Sequence, residues 1–295
     1  MARVPAGTAE LHEGERRVVT GGPAPGSAPH RQLITASKVA AIVGLSSYQS
    51  AWELWHVMKG LAPDQPQNDG MSRGHYLEGG VLAWWRDQHP DATVTAVQPW
   101  YTIGDWGGAR PDMYCDDDGH GNPAVVEAKT DAGDGFGTAG TDEIPPGYLC
   151  QVQWQMACSG AQVAYVPMLG QRLAFAEYVV PRDDDVIGWL IDEATAFRES
   201  LAGDVPPAVD GSRATIACLK RMHRDVEPGV RAVLTGDQFA AYAEARAVFD
   251  AALARRDAAE AVVRDVMGCA QYAVVDGVPV VRRQPSGRGV AFKLI

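Results

Sequence analysis

The sequence predicts a mixed α/β fold, a central mixed sheet flanked by helices, with a C-terminal long helix and a small β element. Segments of helical and strand periodicity alternate between about residues 31 and 210. Hydrophobic residues make up 46% and charged residues 21% of the 295, an ordinary composition for a globular core. An Ala-rich helical run over 237–267 is followed by two valine-rich runs around Asp276-Gly277, a strong hairpin signal.

Taken in order, residues 1–30 are rich in Gly, Pro and Ala (Gly21-Gly22-Pro23-Ala24-Pro25-Gly26) and read as a mobile tail, with too little apolar surface to offset ordering entropy. Thr35-Ala36-Ser37 ahead of Val39, Ile42 and Val43 predicts a short capped helix that Gly44 ends. Trp52, Leu54, Trp55 and Met58 form an amphipathic helix stopped by Gly60, and residues 61–70 read as a loop. Leu77, Val81, Leu82 and Trp85 have helical spacing over 74–88. Strands are predicted over 93–102, 107–114 and 124–128, the last two around a solvated turn at Asp116–Gly121. A helix over 148–158, a strand pair at 163–169 and 174–180, and a helix over 183–201 complete a core spanning 31–210. Residues 211–295 form an accessory part: the long helix, the hairpin, and Val290-Ala291-Phe292 as a third strand.

Charge and cysteines narrow the function classes. The 37 acidic and 26 basic residues give a net −11, which argues against a generic nucleic-acid coat but not against an enzyme with a local basic groove. The charge is uneven: residues 211–295 carry 13 Lys/Arg against 9 Asp/Glu. Five cysteines without a CxxC pair support neither a disulfide framework, nor a zinc ribbon, nor an iron–sulfur cluster. No apolar run reaches the length of a membrane span and no signal peptide is evident, so the expected location is the cytoplasm.

The residues that carry chemistry lie between Arg110 and Lys129. Glu127 and Lys129 in Val125-Val126-Glu127-Ala128-Lys129 share a strand face. A turn at Asp116–Gly121 brings Asp112 of Arg110-Pro111-Asp112 back beside Glu127. Two carboxylates and an ammonium in one cluster suit a Mg²⁺ that keeps several waters and accepts phosphate oxygens. The same spacing also fits a solvated strand face and an ordinary turn, and spacing alone does not choose between them.

The surrounding sequence resembles the YqaJ-type viral recombinases, the phage λ-exonuclease-like branch of the PD-(D/E)xK nucleases. Pro111-Asp112 with Glu127-Ala128-Lys129 looks like that family's metal motif. Ile34-Thr35-Ala36-Ser37 with Ile42-Val43-Gly44-Leu45-Ser46 is similar to its N-terminal signature. Gly74-His75-Tyr76-Leu77-Glu78 matches its Gly-x-x-x-Glu helix, and Tyr148-Leu149-Cys150-Gln151-Val152-Gln153 its Tyr-x-x-Gln-Val-Gln helix. The blocks occur in family order.

The resemblance implies a restriction-endonuclease-like core and a Mg²⁺-dependent (or Mn²⁺-dependent) exonuclease. Acting on double-stranded DNA ends, it would degrade one strand 5′→3′ and leave a 3′ single strand for a single-strand annealing protein. It implies that Asp112, Glu127 and the backbone carbonyl of Ala128 hold the metal, that Lys129 acts on the attacking water, that Glu78 supports a second metal or its waters, and that Gln151 orients Lys129 or substrate. Gln153, on another helical face, is not expected to share that role. Ser37, with Arg31 and Lys38, would bind the terminal 5′-phosphate. The λ-type pattern has arginine seven residues before Ser37, where this chain has His30. A ring-shaped homo-trimer and a phage or prophage origin in a bacterial host are further implications. Another PD-(D/E)xK endonuclease, an inactive DNA-binding or assembly module, and an interaction protein built on the long helix remain alternatives.

Overall fold

The computed structural model describes residues 16–19, 21–24, 26–96, 99–130, 135–287 and 289–295. The chain divides into two compact units, Met1–Val226 and Glu227–Ile295.

The first unit opens with β1 (Arg16–Val19), α1 (Ala28–Gln32), β2 (Ile34–Thr35) and α2 (Ala36–Ile42). Strand β1 and the first residues of helix α1 lie inside the segment read as a mobile tail, of which residues 1–15, 20 and 25 fall outside the described residues. β1 is held by backbone pairing to β4 (Trp100–Ile103) while Val18 and Val19 stay exposed, so hydrophobicity gave no sign of it. Next come α3 (Ala51–Met58), capped by Ser50, and α4 (Asp69–Gln88). Helix α4 begins inside the expected loop because the Asn68 side chain accepts from the Met71 amide.

The expected strand over 93–102 is two strands in different sheets, β3 (Thr93–Val94) and β4, with Pro99 between them. That over 107–114 likewise divides into β5 (Gly107–Ala109) and β6 (Met113–Asp117) around Pro111. A proline has no N–H for a ladder, and each break marks a change of sheet. β7 (Ala124–Val126), β8 (Lys129–Thr130), α5 (Pro146–Ser159), β9 (Val163–Leu169), β10 (Phe175–Pro181) and α6 (Asp184–Ala202) follow, and α7 (Arg213–Met222) closes the unit.

The larger sheet has the order β10-β9-β7-β6-β3, with β8 also pairing β9. β7 and β8 run parallel to β9, and the other neighbours are antiparallel, so the sheet is mixed. Its faces are read along β7. Val126 packs with Trp85 of α4, Met113 and Tyr165, whereas Val125 packs with Val152 and Met156 of α5. The smaller sheet, β1-β4-β5-β2, shares a further cluster with α2, α3, α5 and α6 through Leu54, Trp154, Leu190 and Phe197. The expected central mixed sheet flanked by helices is present.

The turn at Asp116–Gly121 forms and is largely solvated, with Asp116, Gly119, His120 and Gly121 exposed, but Asp118 turns inward. Asp117 accepts from the Gly119 and Gly121 amides, and both glycines have φ near +90°. Asp118 is buried and accepts from His120, Asn122 and the Tyr165 hydroxyl, which hold its carboxyl below the usual range against the cost of burial.

In the second unit α8 (Gly236–Met267) begins with a Thr235–Gln238 capping box. It is followed by a sheet of order β11-β12-β13: Tyr272–Val275, Val278–Ser286 and Gly289–Leu294. Asp276 and Gly277 both have positive φ, as an Asp-Gly hairpin turn requires. The four cysteines Cys115, Cys150, Cys158 and Cys218 are buried thiols and Cys269 is exposed. Among the described residues no helix is long and apolar enough to cross a membrane.

Helix α7 lies beyond the expected end of the core near residue 210, yet it packs into the first unit. Cys218 is buried with Trp52 and Ala62, and the Thr215 and Ser50 hydroxyls are 2.6 Å apart. The Arg221 guanidinium donates to the fully buried Glu53 carboxylate of α3. Breaking a buried pair strands a charge, whereas replacing both partners does not. Arg221→Met should therefore cost about 3 kcal/mol in urea denaturation, and Glu53→Met/Arg221→Met should recover most of it.

Candidate active site

Asp112 immediately precedes β6, and the β6–β7 register pairs Met113 with Val126. One step further, Asp112 stands opposite Glu127, and opposed residues of an antiparallel pair point to one side. Glu127 has the parity of Val125 and so faces α5.

Val126 aligns with Tyr165 and Lys129 with Met168, so β7 and β8 share one register on β9. The Glu127 amide keeps its place in that ladder, donating to the Tyr165 carbonyl at 3.0 Å. The next ladder bond would run from residue 167 to the Glu127 carbonyl, but Pro167 has no N–H to give. There the strand is interrupted; the Ala128 amide, which points away from β9 toward the β6 side, donates to Asp112 Oδ2 at 2.8 Å.

Helix α5 supplies the opposite wall. Tyr148, Gln151 and Gln155 are spaced i, i+3, i+7 and lie along one stripe. Gln151 Nε2 donates to Glu127 Oε1 at 2.5 Å and Gln155 Nε2 to Glu127 Oε2 at 2.7 Å. Lys129 Nζ donates to Glu127 Oε1 at 2.7 Å and to Gln151 Oε1 at 3.1 Å, and sits 4.8 Å from the centre of the Tyr148 ring. An ammonium has three N–H donors, so one is left for a ligand. Gln153 points elsewhere, receiving the Asp183 amide and donating to the Pro181 carbonyl, as its helical face implied.

A cleft of about 470 Å³ opens over this cluster. Asp112, Glu127, Lys129 and Glu78 line it, with Arg73 on the same helix as Glu78 and Gln65 on the preceding loop. Gln65 Nε2 reaches both Glu53 Oε2 and the Tyr48 carbonyl, and the Tyr48 and Tyr148 hydroxyls are 3.4 Å apart. The Arg221–Glu53 pair thus continues through Gln65 and Tyr48 to the ring beneath Lys129.

Burial pushes the Asp112 carboxyl well above the usual carboxylate range, and the charges of Glu127 and Glu78 push it further; Lys129 and the Ala128 amide oppose this less strongly. This is a crowd of carboxylates with too little positive charge. Among the described residues no three His, Cys, Asp or Glu side chains converge on a cation. Two carboxylates, a backbone carbonyl and water are nonetheless a suitable donor set for Mg²⁺.

The structure thus brings Asp112, Glu127, Ala128, Lys129, Gln151 and Glu78 together. The three residues expected around a phosphate do not gather. Ser37 is in the first turn of α2 rather than at its cap, which is Thr35, and the two hydroxyls are 3.1 Å apart. Lys38 points back to the carbonyls of His30, Arg31 and Leu33, and burial lowers its pKa to about 8. Arg31 pairs with Asp64 at 2.7 Å. The cation that joins Ser37 is Arg110: with His30, Gln151 and Gln155 they line a pocket of about 160 Å³. Arg110 is exposed, and it has no ion-pair partner among the described residues. Gln155 carries no role in the sequence reading, although the i+4 spacing from Gln151 marks it, and Arg110 enters that reading only as one of several cations, with Arg31, Lys38, Arg73 and Lys129, along a basic path for DNA.

The chain is similar in part to several known proteins. Residues 27–162 match the YqaJ-like viral recombinase domain. The uncharacterized protein YqaJ of Bacillus subtilis is 25% identical over 209 residues, which span 67% of this chain and 62% of that protein. An alkaline exonuclease (LHK-Exo) from Laribacter hongkongensis is 25% identical with a TM-score of 0.44, covering 59% of this chain and 90% of that one. A phage-related exonuclease from Haemophilus somnus 129PT is 11% identical with a TM-score of 0.46, covering 59% and 95%.

The crowding at Asp112 has a sign that can be tested. A raised folded pKa stabilises the fold while the carboxyl is protonated, and that contribution is lost as pH rises through the folded value. Asp112→Asn, which never ionises, should raise the melting temperature in chelator at neutral and alkaline pH by a few degrees, on the order of 1 kcal/mol. The difference should vanish in acid, where Asp112 is protonated in both states.

Proposed function

We propose that this chain, which carries a YqaJ-like viral recombinase domain over residues 27–162, is a metal-dependent exonuclease that degrades one strand from the ends of linear duplex DNA. The observation that carries the reading is the Asp112–Glu127–Lys129–Gln151 cluster in an open cleft. The polarity is 5′→3′, and the product is a 3′ single strand suited to an annealing protein.

Asp112, Glu127 and the Ala128 carbonyl would hold a Mg²⁺, with Glu78 near its waters. Such an ion acidifies a bound water and offsets charge on phosphate oxygens. The chain's own residues do the positioning. Gln151 and Gln155 each donate to one oxygen of Glu127 and fix its plane. Lys129 is steered by Glu127, Gln151 and the Tyr148 ring, and its remaining N–H is directed to the attacking water or a phosphate oxygen. Burial of Asp112 and Glu127 limits competing water and strengthens each of these contacts.

The pocket of Ser37, Arg110 and Gln151 would receive the terminal 5′-phosphate. Burial and nearby Lys38 lower the His30 pKa, which favours a neutral ring and leaves Arg110 to supply the charge.

End-labelled linear duplex should be shortened in Mg²⁺ and left intact in chelator, while covalently closed circles survive. Asp112→Ala should abolish degradation, by roughly a thousandfold or more if the metal is lost. Rapid cutting of closed circles would reject the exonuclease reading. Ends bearing a 5′-phosphate should be degraded faster than 5′-hydroxyl ends, and Arg110→Ala should erase about tenfold of that preference. Equal rates in the unmodified chain would discard the pocket.

A further inference from the structure

The second unit has a charge pattern that the active site does not use. From Gly268 to Ile295 there are four basic residues, Arg282, Arg283, Arg288 and Lys293, and one acidic residue, Asp276. In α8 three of the four arginines are matched within the helix, Arg246 with Asp250, Arg256 with Asp257 and Arg264 with Glu260, and Arg255 alone has no acidic partner among the described residues. Among the described residues, Arg282 and Lys293 have no acidic partner.

The register of the small sheet shows where these cations stand. Tyr272 pairs with Arg282 and Arg282 with Lys293, so the three side chains form one row on one face. Neighbouring residues of alternate parity point to the other face, which meets the helix. Arg283 donates to the Gly268 carbonyl at the end of α8, Arg264 lies 4.1 Å over the Phe292 ring, and Val281 and Met267 are buried. The face with Tyr272, Arg282 and Lys293 is therefore turned away from α8. Tyr272 is 44% exposed, and Gln284 lies two residues along β12 on the same side.

A row of one aromatic and two unmatched cations, about 10 Å across at strand spacing, has the chemistry of a single-strand platform. The ring offers a stacking surface to a base and the cations meet successive phosphates. A duplex keeps its bases stacked inside and has no use for the tyrosine.

We propose that the Tyr272–Arg282–Lys293 face of the C-terminal sheet binds single-stranded DNA. The identity of that strand, the one left by end resection, rests on the nuclease reading; the binding itself does not.

The test is fluorescence anisotropy of a labelled single-stranded oligonucleotide with the full chain in EDTA, over a range of salt. Arg282→Ala/Lys293→Ala should weaken binding about tenfold or more and lower the log–log salt slope by roughly 1.4, the share of two phosphate contacts. Tyr272→Ala should weaken binding about fivefold with the slope unchanged, and Tyr272→Phe should retain it. Wild-type affinity in the Arg282→Ala/Lys293→Ala chain overturns the proposal. So does a Tyr272→Ala chain that loses heparin and oligonucleotide to the same degree, because a bare polyanion site has no stacking. Circular dichroism of each variant confirms the fold. Duplex degradation in Mg²⁺, measured on the same preparations, separates the two readings. An inactive chain whose variants lose oligonucleotide refutes the nuclease and supports the platform. An active chain with unchanged binding refutes the platform alone.

Discussion

Between β7 and β8 the chain leaves its ladder for two residues, and the amide set free there, that of Ala128, goes to Asp112. A buried N–H must find an acceptor, so this bond ties the start of β6 to the interruption in the neighbouring strand. On the β9 side the ladder lapses at the same place, because Pro167 has no N–H for the Glu127 carbonyl. Register does the rest: β9 keeps β7 and β8 in phase, so Glu127 and Lys129 remain on the α5 side while the backbone between them is released. The Gln151 and Gln155 amides and the Tyr148 ring gather around those two side chains, and Glu78 closes the cleft from α4.

Much of this was legible in the sequence because it depends on short-range rules. Strand parity put Glu127 and Lys129 on one face, and the Asp/Gly turn returned Asp112 to their side. Helical phase separated Gln151 from Gln153. What escaped notice depends on distant partners. Strand β1 owes its place to backbone pairing with β4, and its exposed valines look like tail. Prolines that divide one apparent strand between two sheets are visible as letters, but the sheet each half joins is set by tertiary pairing. The cations expected beside Ser37 are placed elsewhere for a related reason. Arg31 and Lys38 are close to Ser37 in sequence, yet Asp64 and three backbone carbonyls occupy them, and the cation beside Ser37 comes from seventy-three residues downstream.

Helix α7 shows how far the support of the cleft extends. Its Arg221 satisfies Glu53, which would otherwise be a charge buried without a counterpart. Glu53 in turn holds Gln65, and Gln65 holds the Tyr48 carbonyl. Each link fixes a side chain whose next neighbour lies nearer the cleft. The net −11 is also better understood by location. Carboxylates crowd the cleft, whereas the C-terminal sheet is basic, so the total charge is a poor guide to either surface.

The three carboxylates of the cleft have a consequence for descent. Glu127 and Glu78 both oppose ionisation of Asp112, so replacing Asp112 by a neutral residue of the same shape relaxes the fold. A neutral change of the same shape at Asp112 therefore meets little resistance from stability; a silent copy of such a protein would be easier to fold than a working one. To keep Asp112 in that company, with a lysine that only partly compensates it, is a cost for which folding alone gives no reason.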